Sequence, residues 1–265
     1  MRPSVARGRV LIIAGSDSGG GAGVQADIKT VTALGGYAAS AITAITVQNT
    51  LGVSAIHLVP PEIVEAQARV VLSDIGADII KIGMIGEAGE AVIRILDAWP
   101  DIPVVIDPVM TAKGGAVLAD ARAIEMLRLR LLPRAMLATP NAPEAAALTG
   151  LAVESTDDLR RAGHALLAMG CQSVLVKGGH IPGETVIDVL ISAAGETTFE
   201  GPRIVSRHTH GTGCTLASAC ATGLAQGLTL EAAVAGAWAY VADAIRFAPG
   251  LGDGAGPIDH AWRLR

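Results

Sequence analysis

Short apolar runs rich in β-branched residues alternate along the chain with longer, alanine-rich segments. VLIIAG is followed by GVQADIKTVTALGG, and the alternation continues through PPEIVEAQARVVLSD, ADIIKIGMIG, EAGEAVIRILDAWP, PVVIDPVM, TDDLRRAGHALLAMG and QSVLVKGG. Strands that alternate with helices in this way form a mainly parallel sheet, with right-handed crossovers and helices on both faces. We therefore predict an α/β fold.

Two further segments, LGVSAIHLVP and TVIDVLISAAGETTFEGPRIVSR, show the alternation of a hairpin. A turn at Gly195 divides the second segment, which predicts either an antiparallel pair at the sheet edge or a flap. The chain shows no internal repeat and no linker. We therefore predict a single domain over residues 1–265.

The composition supports this fold and narrows the class of partner. Apolar residues make up 51% of the chain and aromatic residues 3%, which is typical of a buried parallel sheet packed with aliphatic side chains. The net charge is −5, and no basic cluster occurs, so a small-molecule ligand is favoured over nucleic acid. No run approaches the roughly 18 apolar residues of a membrane span, and we expect no membrane partner.

The three cysteines, Cys171, Cys214 and Cys220, have no CxxC spacing and are odd in number. This arrangement argues against a zinc site and against a disulfide framework. It is typical of a reducing compartment, and it predicts a cytoplasmic location.

Polar and glycine-rich clusters follow the predicted strands. They are AGSDSGGGAG, VQNT, KIGMIG, DPVMTAKGG, TPNAPE and VKGGH. Open α/β sheets bind their ligands at the carboxyl ends of the strands. We therefore expect these clusters to converge on a single long crevice.

The segment HTHGTGCTLASACATG places glycines on both sides of a threonine just before a predicted helix. The backbone N–H groups of Gly211, Thr212, Gly213 and Cys214 would form an anion hole for a transferring phosphoryl group, because a helix N-terminus favours negative charge. The alternative is an ordinary helix entry, with Thr212 as N-cap and Cys214 as a small buried residue.

Phosphoryl transfer also needs metal-directing groups and a cation. In TPNAPE, Asn141 and Glu144 are spaced to reach a hydrated magnesium ion. Lys177 is the candidate cation, and Asp107 ends a strand where a water-bridged metal would lie. Each has a structural alternative: a capping pair with Pro143 in the first turn, a solvated strand end for Lys177, and a turn at Asp107.

A dinucleotide-binding fold is the alternative for GGGAGVQADI, since this glycine run follows a strand and opens a helix. The acidic residue expected at the end of the second strand is missing, because that strand ends in Gln48 and Asn49. No GxxxxGK[ST] motif occurs. His208 and His210 alternate along the chain and would point to opposite faces, so we interpret them as loop contacts rather than as metal ligands.

Together these motifs resemble the hydroxymethylpyrimidine/phosphomethylpyrimidine kinases of thiamine biosynthesis, within the ribokinase-like family. The resemblance rests on AGSDSGGGAGVQADIKT, TAITVQNT, KIGMIG, IDPVM, TPNAPEA, VLVKGGH and HTHGTGCTLASA, which occur in family order and cover nearly the whole chain. It implies a three-layer sandwich that uses ATP and Mg²⁺ to phosphorylate 4-amino-5-hydroxymethyl-2-methylpyrimidine and then its monophosphate.

The resemblance also implies roles for individual residues. Asp27 and Gln48 would hydrogen-bond the aminopyrimidine. The other implied roles are the pocket wall (Gly15, Met84 and Val109), ATP binding (Lys177 and Thr212), magnesium binding (Asn141 and Glu144) and the anion hole (residues 211–214).

Cys214 stands where ribokinase has its aspartate base. A helix N-terminus lowers the pKa of a thiol, so Cys214 would either accept the hydroxymethyl proton or only orient the substrate. SDSGGGAG and MTAKGG, with Lys113, would face the phosphate of the monophosphate substrate. The resemblance further implies a homodimer, and the exposed edge of the strand VSAIHLV supports it.

Two alternatives stay open at this point. A pyridoxal kinase of the same fold would also phosphorylate a hydroxymethyl group, but the dual-use relatives carry a flap cysteine where this chain has Ala112. The Gln48 amide, which both donates and accepts, suits an exocyclic amine. A non-catalytic regulator or dinucleotide-binding module would be expected to have lost part of the anion hole, the Asn141–Glu144 pair or Lys177, and all are present.

Overall fold

The computed structural model of the protein describes residues 8–111, 115 and 118–264. Ala112, which stands in place of the flap cysteine of the dual-use relatives, and Lys113, to which we assigned a phosphate role, lie outside these residues. The described strands form one nine-stranded sheet in the order β3-β2-β1-β4-β5-β6-β7-β8-β9. The strands are β1 Arg9–Asp17, β2 Tyr37–Asn49, β3 Gly52–Leu58, β4 Ile79–Ile82, β5 Val104–Ile106, β6 Leu137–Ala138, β7 Ser173–Lys177, β8 Thr185–Ser192 and β9 Gly195–Pro202.

The six strands from β2 through β1, β4, β5 and β6 to β7 are parallel, and antiparallel strands flank them at both edges. The two predicted hairpins account for those edges. β3 pairs with β2, and β9, which begins at Gly195 with φ +128°, pairs with β8. The second hairpin is thus an edge pair, the first of its two predicted forms.

Helices cover both faces of the sheet. They are α1 Gly23–Ala33, α2 Pro61–Asp74, α3 Gly89–Ala98, α4 Ala121–Met126, α5 Ala142–Thr149, α6 Thr156–Ala168, α7 Thr212–Ala225 and α8 Leu230–Arg246. Within residues 8–111 and 118–264, no helix is long and apolar enough to cross a membrane.

Successive residues of the strands point to opposite faces and produce two cores. On β1, Leu11 and Ile13 pack with α2, α3, α5 and α6, whereas Val10 and Ile12 pack with α1, α7 and α8. Both sets are almost completely buried. This arrangement confirms the predicted three-layer α/β sandwich, and it requires the continuous apolar runs of the parallel strands because each strand is covered on both sides.

Candidate active site

The glycine turn before α7 has a conformation that only glycine adopts easily. Gly211 is the N-cap of α7, with φ +84°, in the left-handed region. A Cβ atom there would lie 1.7 Å from the carbonyl oxygen of Gly21. Thr212 is therefore the first helical residue and not the N-cap, which corrects the structural alternative for this turn. No side chain in the described part of the chain caps α7, and the Thr212 N–H makes only a long bond of 3.5 Å to the Thr209 carbonyl oxygen, so this end of the helix is open to an anion.

The second glycine of the turn faces charged side chains from two other strands. A Cβ atom on Gly213 would lie 3.2 Å from Lys177 Nζ, at the end of β7, and 3.7 Å from Asp107 Oδ2, just after β5. The structure thus brings the first turn of α7, Lys177 and Asp107 together at the carboxyl edge of the sheet.

Lys177 and Asp107 form a buried ion pair, with 3.0 Å between Nζ and Oδ1. Thr139 Oγ1 also donates to Asp107 Oδ1. Burial works to raise the pKa of Asp107, but the charges of Lys177 and Lys81 hold it below its ordinary value. Lys177 is therefore not a solvated strand end, and Asp107 is an ionised carboxylate rather than a simple turn former.

Asn141 and Glu144 form the capping box of α5. Asn141 Oδ1 accepts from the Glu144 N–H at 2.9 Å, and Glu144 Oε2 accepts from the Asn141 N–H at 2.8 Å. The structural alternative is thus present, with Pro143 in the first turn. Burial raises the pKa of Glu144 to about 7. The positive charge of Lys177 opposes this shift, and the negative charge of Asp107 adds to it. Glu144 therefore caps its helix and also interacts electrostatically with the Lys177–Asp107 pair.

We expect Glu144→Gln to lower kcat by about 10- to 100-fold, the usual effect of disturbing groups around a metal, with little change in pyrimidine affinity. Glutamine still completes a capping box, so the change removes the charge and keeps the helix start. Steady-state kinetics and substrate titration measure both quantities. Asp158→Asn in the exposed capping box of α6 is the matched control. Weaker pyrimidine binding with unchanged kcat would instead assign Glu144 to the ring pocket.

Behind Lys177, a buried aspartate that the sequence analysis did not identify fixes the end of β7. Asp188 lies opposite Lys177 on β8, and its Oδ1 accepts the Gly178 N–H at 2.8 Å. Burial raises the pKa of Asp188 from 3.8 to about 6. Sequence alone does not reveal this role, because TVIDVLIS also matches an edge strand with a polar residue facing solvent.

The raised pKa of Asp188 predicts a pH-dependent stability. Its folded state favours the protonated form, so its contribution to stability is lost as the pH rises from about 4 to above 6. Asp188→Asn keeps an acceptor for Gly178 and cannot ionise. Between pH 4 and pH 7, we expect the free energy of unfolding of the wild type to fall relative to Asp188→Asn by at most about 3 kcal/mol. Denaturant titrations at each pH measure this difference. Free energies of unfolding that change in parallel with pH for the two proteins would contradict the prediction.

The structure brings together some of the residues assigned to the ring pocket. Met84 and Val109 line one small apolar pocket, together with Leu118 and Leu127. A Cβ atom on Gly15 would lie 2.3 Å from Met84 Cε, so the Met84 side chain lies directly against Gly15 of β1. The Gln48 amide, on β2, contacts Thr46 Oγ1 and His210 Nε2.

Asp27 differs from the prediction. It is fully buried, and both of its oxygens already accept from Lys81 Nζ, at 3.0 and 2.8 Å, while Ser218 Oγ donates at 2.7 Å. These contacts conflict with a direct hydrogen bond from Asp27 to a pyrimidine ring. Lys81, its partner, was missed because it interrupts an apolar strand, IIKI, and lies 54 residues from Asp27.

Cys214 also differs from the prediction. It lies on α7 one turn before Ser218, and burial raises the pKa of its thiol to about 12, with only partial opposition from Lys81. The prediction of a lowered pKa was wrong, because loss of hydration outweighs the helix N-terminus at this position. The thiol is therefore protonated near neutral pH and is a poor general base.

The glycine loop after β1 is held by Asp17. Its carboxylate accepts the N–H groups of Gly19, Gly21 and Ala22 at 2.8–3.1 Å. Burial opposes ionisation, but His210 and these N–H groups keep the pKa of Asp17 below its ordinary value. Because these N–H groups are occupied by an anionic side chain, they do not favour the second phosphate that we expected SDSGGGAG to face.

His210 is more than the loop contact we predicted. It is buried, and its Nε2 atom lies 2.8 Å from Asp17 Oδ2. Among the described residues, no group of three or more His, Cys, Asp or Glu side chains could hold a metal ion. The two carboxylates near Lys177, those of Asp107 and Glu144, instead match magnesium bound by one or two carboxylates and substrate phosphates.

Comparison with known proteins gives one consistent result. The family model for phosphomethylpyrimidine kinase matches residues 17–259. The hydroxymethylpyrimidine/phosphomethylpyrimidine kinase of Streptomyces coelicolor is 49% identical over 264 residues, which cover 99% of this chain and 97% of that protein. The thiamine biosynthesis bifunctional protein ThiED of Geobacter sulfurreducens is 51% identical over 257 residues, covering 96% of this chain, which spans only 52% of that protein's length.

Solved structures agree on the fold. Phosphomethylpyrimidine kinase of Clostridium difficile 630 superposes with a TM-score of 0.80 at 39% identity, covering 90% of this chain and 99% of that one. The pyridoxal kinase of Staphylococcus aureus in complex with ADP has a TM-score of 0.89 at 34% identity, covering 97% and 95%. With a family model that covers most of its length and a near-full-length relative close to half identical, the chain belongs to the phosphomethylpyrimidine kinase family.

Proposed function

We propose that the protein transfers the γ-phosphoryl group of ATP to the hydroxymethyl group of 4-amino-5-hydroxymethyl-2-methylpyrimidine, and then phosphorylates the monophosphate to the diphosphate. The observation that carries this proposal is the placement of Gly213 against Lys177 Nζ and Asp107 Oδ2. A helix N-terminus, a buried cation and a carboxylate meet at one point, as phosphoryl transfer requires. The names of the related kinases support the choice of substrate.

In this proposal the N–H groups of residues 211–214 accept the charge that develops on the phosphoryl oxygens. Lys177 is held in place by Asp107 and lies beside the same oxygens. The hydroxymethyl oxygen attacks the γ-phosphorus while the bond to ADP breaks, and the hydroxyl proton passes to an oxygen of the transferred phosphoryl group or to water. Such a transition state asks little of a base, in keeping with a protonated Cys214.

Asp107 and Glu144 are the residues that would hold Mg²⁺. Carboxylate oxygens are the ligands that this ion prefers, and the ion characteristically completes its shell with water and phosphate oxygens. When bound, Mg²⁺ neutralises charge on the phosphates of ATP. Asn141 supports the site by capping α5 and fixing the Glu144 carboxylate.

One coupled assay tests the proposal. Turnover of the aminopyrimidine, of its monophosphate and of pyridoxal is measured with ATP, with and without a chelator of divalent metal. We expect turnover of both pyrimidines that is lost on chelation and restored by Mg²⁺. Full turnover after chelation would refute the metal dependence, and turnover of pyridoxal alone would refute the substrate.

Pyridoxal phosphorylation is the second candidate function. The similarity to the pyridoxal kinase of Staphylococcus aureus favours it, since a hydroxymethyl group on an aromatic ring is common to both substrates. The pyridoxal arm of the same assay decides it. The higher identity to the pyrimidine kinases keeps it in second place.

We also propose a homodimer in the cytoplasm. β3 is an edge strand, and exposed apolar side chains lie on both faces of its pair with β2: Ile45 and Val47 on one face, Ile56 and Leu58 on the other. An edge of this kind favours pairing with a second copy. The cysteines are free thiols, as in a reducing compartment. Sedimentation as a dilute, fully active monomer would contradict the dimer.

A further inference from the structure

His210 lies buried between Asp17, at the end of β1, and Gln48, near the end of β2. Its Nε2 atom is 2.8 Å from Asp17 Oδ2 and 3.3 Å from Gln48 Nε2. Gln48 is the side chain that the family resemblance assigns to the substrate ring, and the proposed substrate keeps that assignment. The contacts of its amide inside the protein therefore determine which of its hydrogen-bonding groups a ligand meets.

One imidazole nitrogen either carries a hydrogen or offers a lone pair. Asp17 is an acceptor here, since its carboxylate also accepts the N–H groups of Gly21 and Ala22. The hydrogen therefore resides on His210 Nε2 and points to Asp17, in the neutral ring and the protonated ring alike. His210 offers no lone pair to Gln48, and the atom of Gln48 that favourably faces it is the amide oxygen.

Thr46 imposes the same orientation from the other side. Its Oγ1 atom lies 2.9 Å from the carbonyl oxygen of Ser16 and 3.1 Å from the Gln48 amide. A carbonyl only accepts, so the single hydroxyl hydrogen goes to Ser16 and Oγ1 offers Gln48 a lone pair. The atom that favourably faces Thr46 is the amide nitrogen. In the structure the oxygen faces Thr46, and a half-turn about the Cγ–Cδ bond satisfies both neighbours together.

We infer that the pairs Asp17–His210 and Ser16–Thr46 hold the Gln48 amide in one orientation and thereby set the enzyme's preference for a ring with an amino group. This inference rests on the proposed function. In that orientation one lone pair of Oε1 and one hydrogen of Nε2 remain for the ligand, in a fixed order. An aminopyrimidine is complementary, because its exocyclic amine donates to Oε1 and its adjacent ring nitrogen accepts from Nε2.

The test is a ratio of specificities. For each variant, kcat/KM for the aminopyrimidine is divided by kcat/KM for the analogue that lacks the amino group. We expect Gln48→Ala to lower this ratio by about tenfold or more, the effect of unpaired hydrogen-bonding groups. His210→Leu and Thr46→Val should each lower it by a large part of that factor, through KM more than kcat.

Two controls accompany these variants. His210→Gln keeps an N–H group that can donate to Asp17, and it should retain most of the ratio. His164→Leu removes an exposed histidine on α6 that pairs with Glu196, and it should change nothing. In a Gln48→Ala background, His210→Leu should lower the ratio no further, because the amide it orients is gone.

An equal loss of kcat/KM for both substrates would overturn the inference. So would a ratio that is unchanged in both His210→Leu and Thr46→Val, or a further drop in the ratio when His210→Leu is added to Gln48→Ala. Thr46→Val keeps the shape of the side chain and decides the matter if His210→Leu does not fold. If the wild-type enzyme phosphorylates the aminopyrimidine and the variants keep the wild-type ratio, the inference is refuted and the proposed function stands. If the wild-type enzyme does not phosphorylate the aminopyrimidine, both the proposed function and the inference are refuted.

Discussion

Replacement of Gly213 by valine is expected to lower kcat by about 10²–10³, the loss seen when a preorganised donor to a developing charge is removed. The Cβ atom of residue 213 would lie 3.2 Å from Lys177 Nζ and 3.7 Å from Asp107 Oδ2. The two methyl groups beyond it would fill the space where the phosphoryl oxygens meet the N–H groups of α7. Steady-state and single-turnover kinetics measure the effect.

Gly236→Val is the matched control, because Gly236 also lies within a helix and a Cβ atom there meets nothing within 4 Å. It should leave stability unchanged or slightly raised, because valine has a higher helix propensity than glycine, and it should leave kcat unchanged. Cys214→Ser should have a mild effect, since a thiol with a pKa of about 12 accepts no proton near neutral pH. A Cys214→Ser enzyme with normal affinity and almost no turnover, beside an active Gly213→Val enzyme, would show that the thiol is the base.

The second large effect concerns stability. Removal of either partner of the buried Lys81–Asp27 pair is expected to lower the free energy of unfolding by about 3–5 kcal/mol, because it leaves the other charge buried without its counterion. Both side chains are fully buried, with 2.8 Å between Nζ and Oδ2. Asp27→Leu and Lys81→Met are the single variants, and denaturant unfolding is the measurement. The double variant should regain most of the loss, since it buries no charge.

Arg9→Met provides the control for this cycle. Arg9 and Asp78 form an ion pair at 2.6 Å, but their side chains are 45% and 36% exposed. Loss of this exposed ion pair should lower the free energy of unfolding by at most about 1 kcal/mol. Normal stability of Asp27→Leu, together with a raised KM for the aminopyrimidine, would instead restore the direct contact between Asp27 and the ring.

Much of the fold could be predicted because it depends on local patterns. The apolar runs of β1 and β7 are continuous since both faces of those strands are covered, and Gly195 marks the turn of the edge hairpin. The convergence of Lys177 and Asp107 was predictable because parallel strands place their carboxyl ends at one edge.

The errors concern quantities that depend on tertiary packing. The pKa of Cys214 is set by loss of water, and a helix position alone does not reveal that loss. The roles of Asp27 and His210 depend on partners far away in sequence, Lys81 and Asp17. A lysine inside an apolar strand was the one local signal, since a charged residue is almost never fully buried without a partner.

The close approach of Gly211 to Gly21 has a consequence for how substrates can change. The backbone of residue 211 leaves no room for a side chain against the Gly21 carbonyl, and the Gly21 N–H is bound to Asp17. The loop after β1 and the turn that begins α7 are therefore in direct backbone contact. In the proposed function this backbone contact sets the separation between a ring at Gln48 and a phosphoryl group at the start of α7, so we expect a longer hydroxyalkyl arm on the ring to overreach.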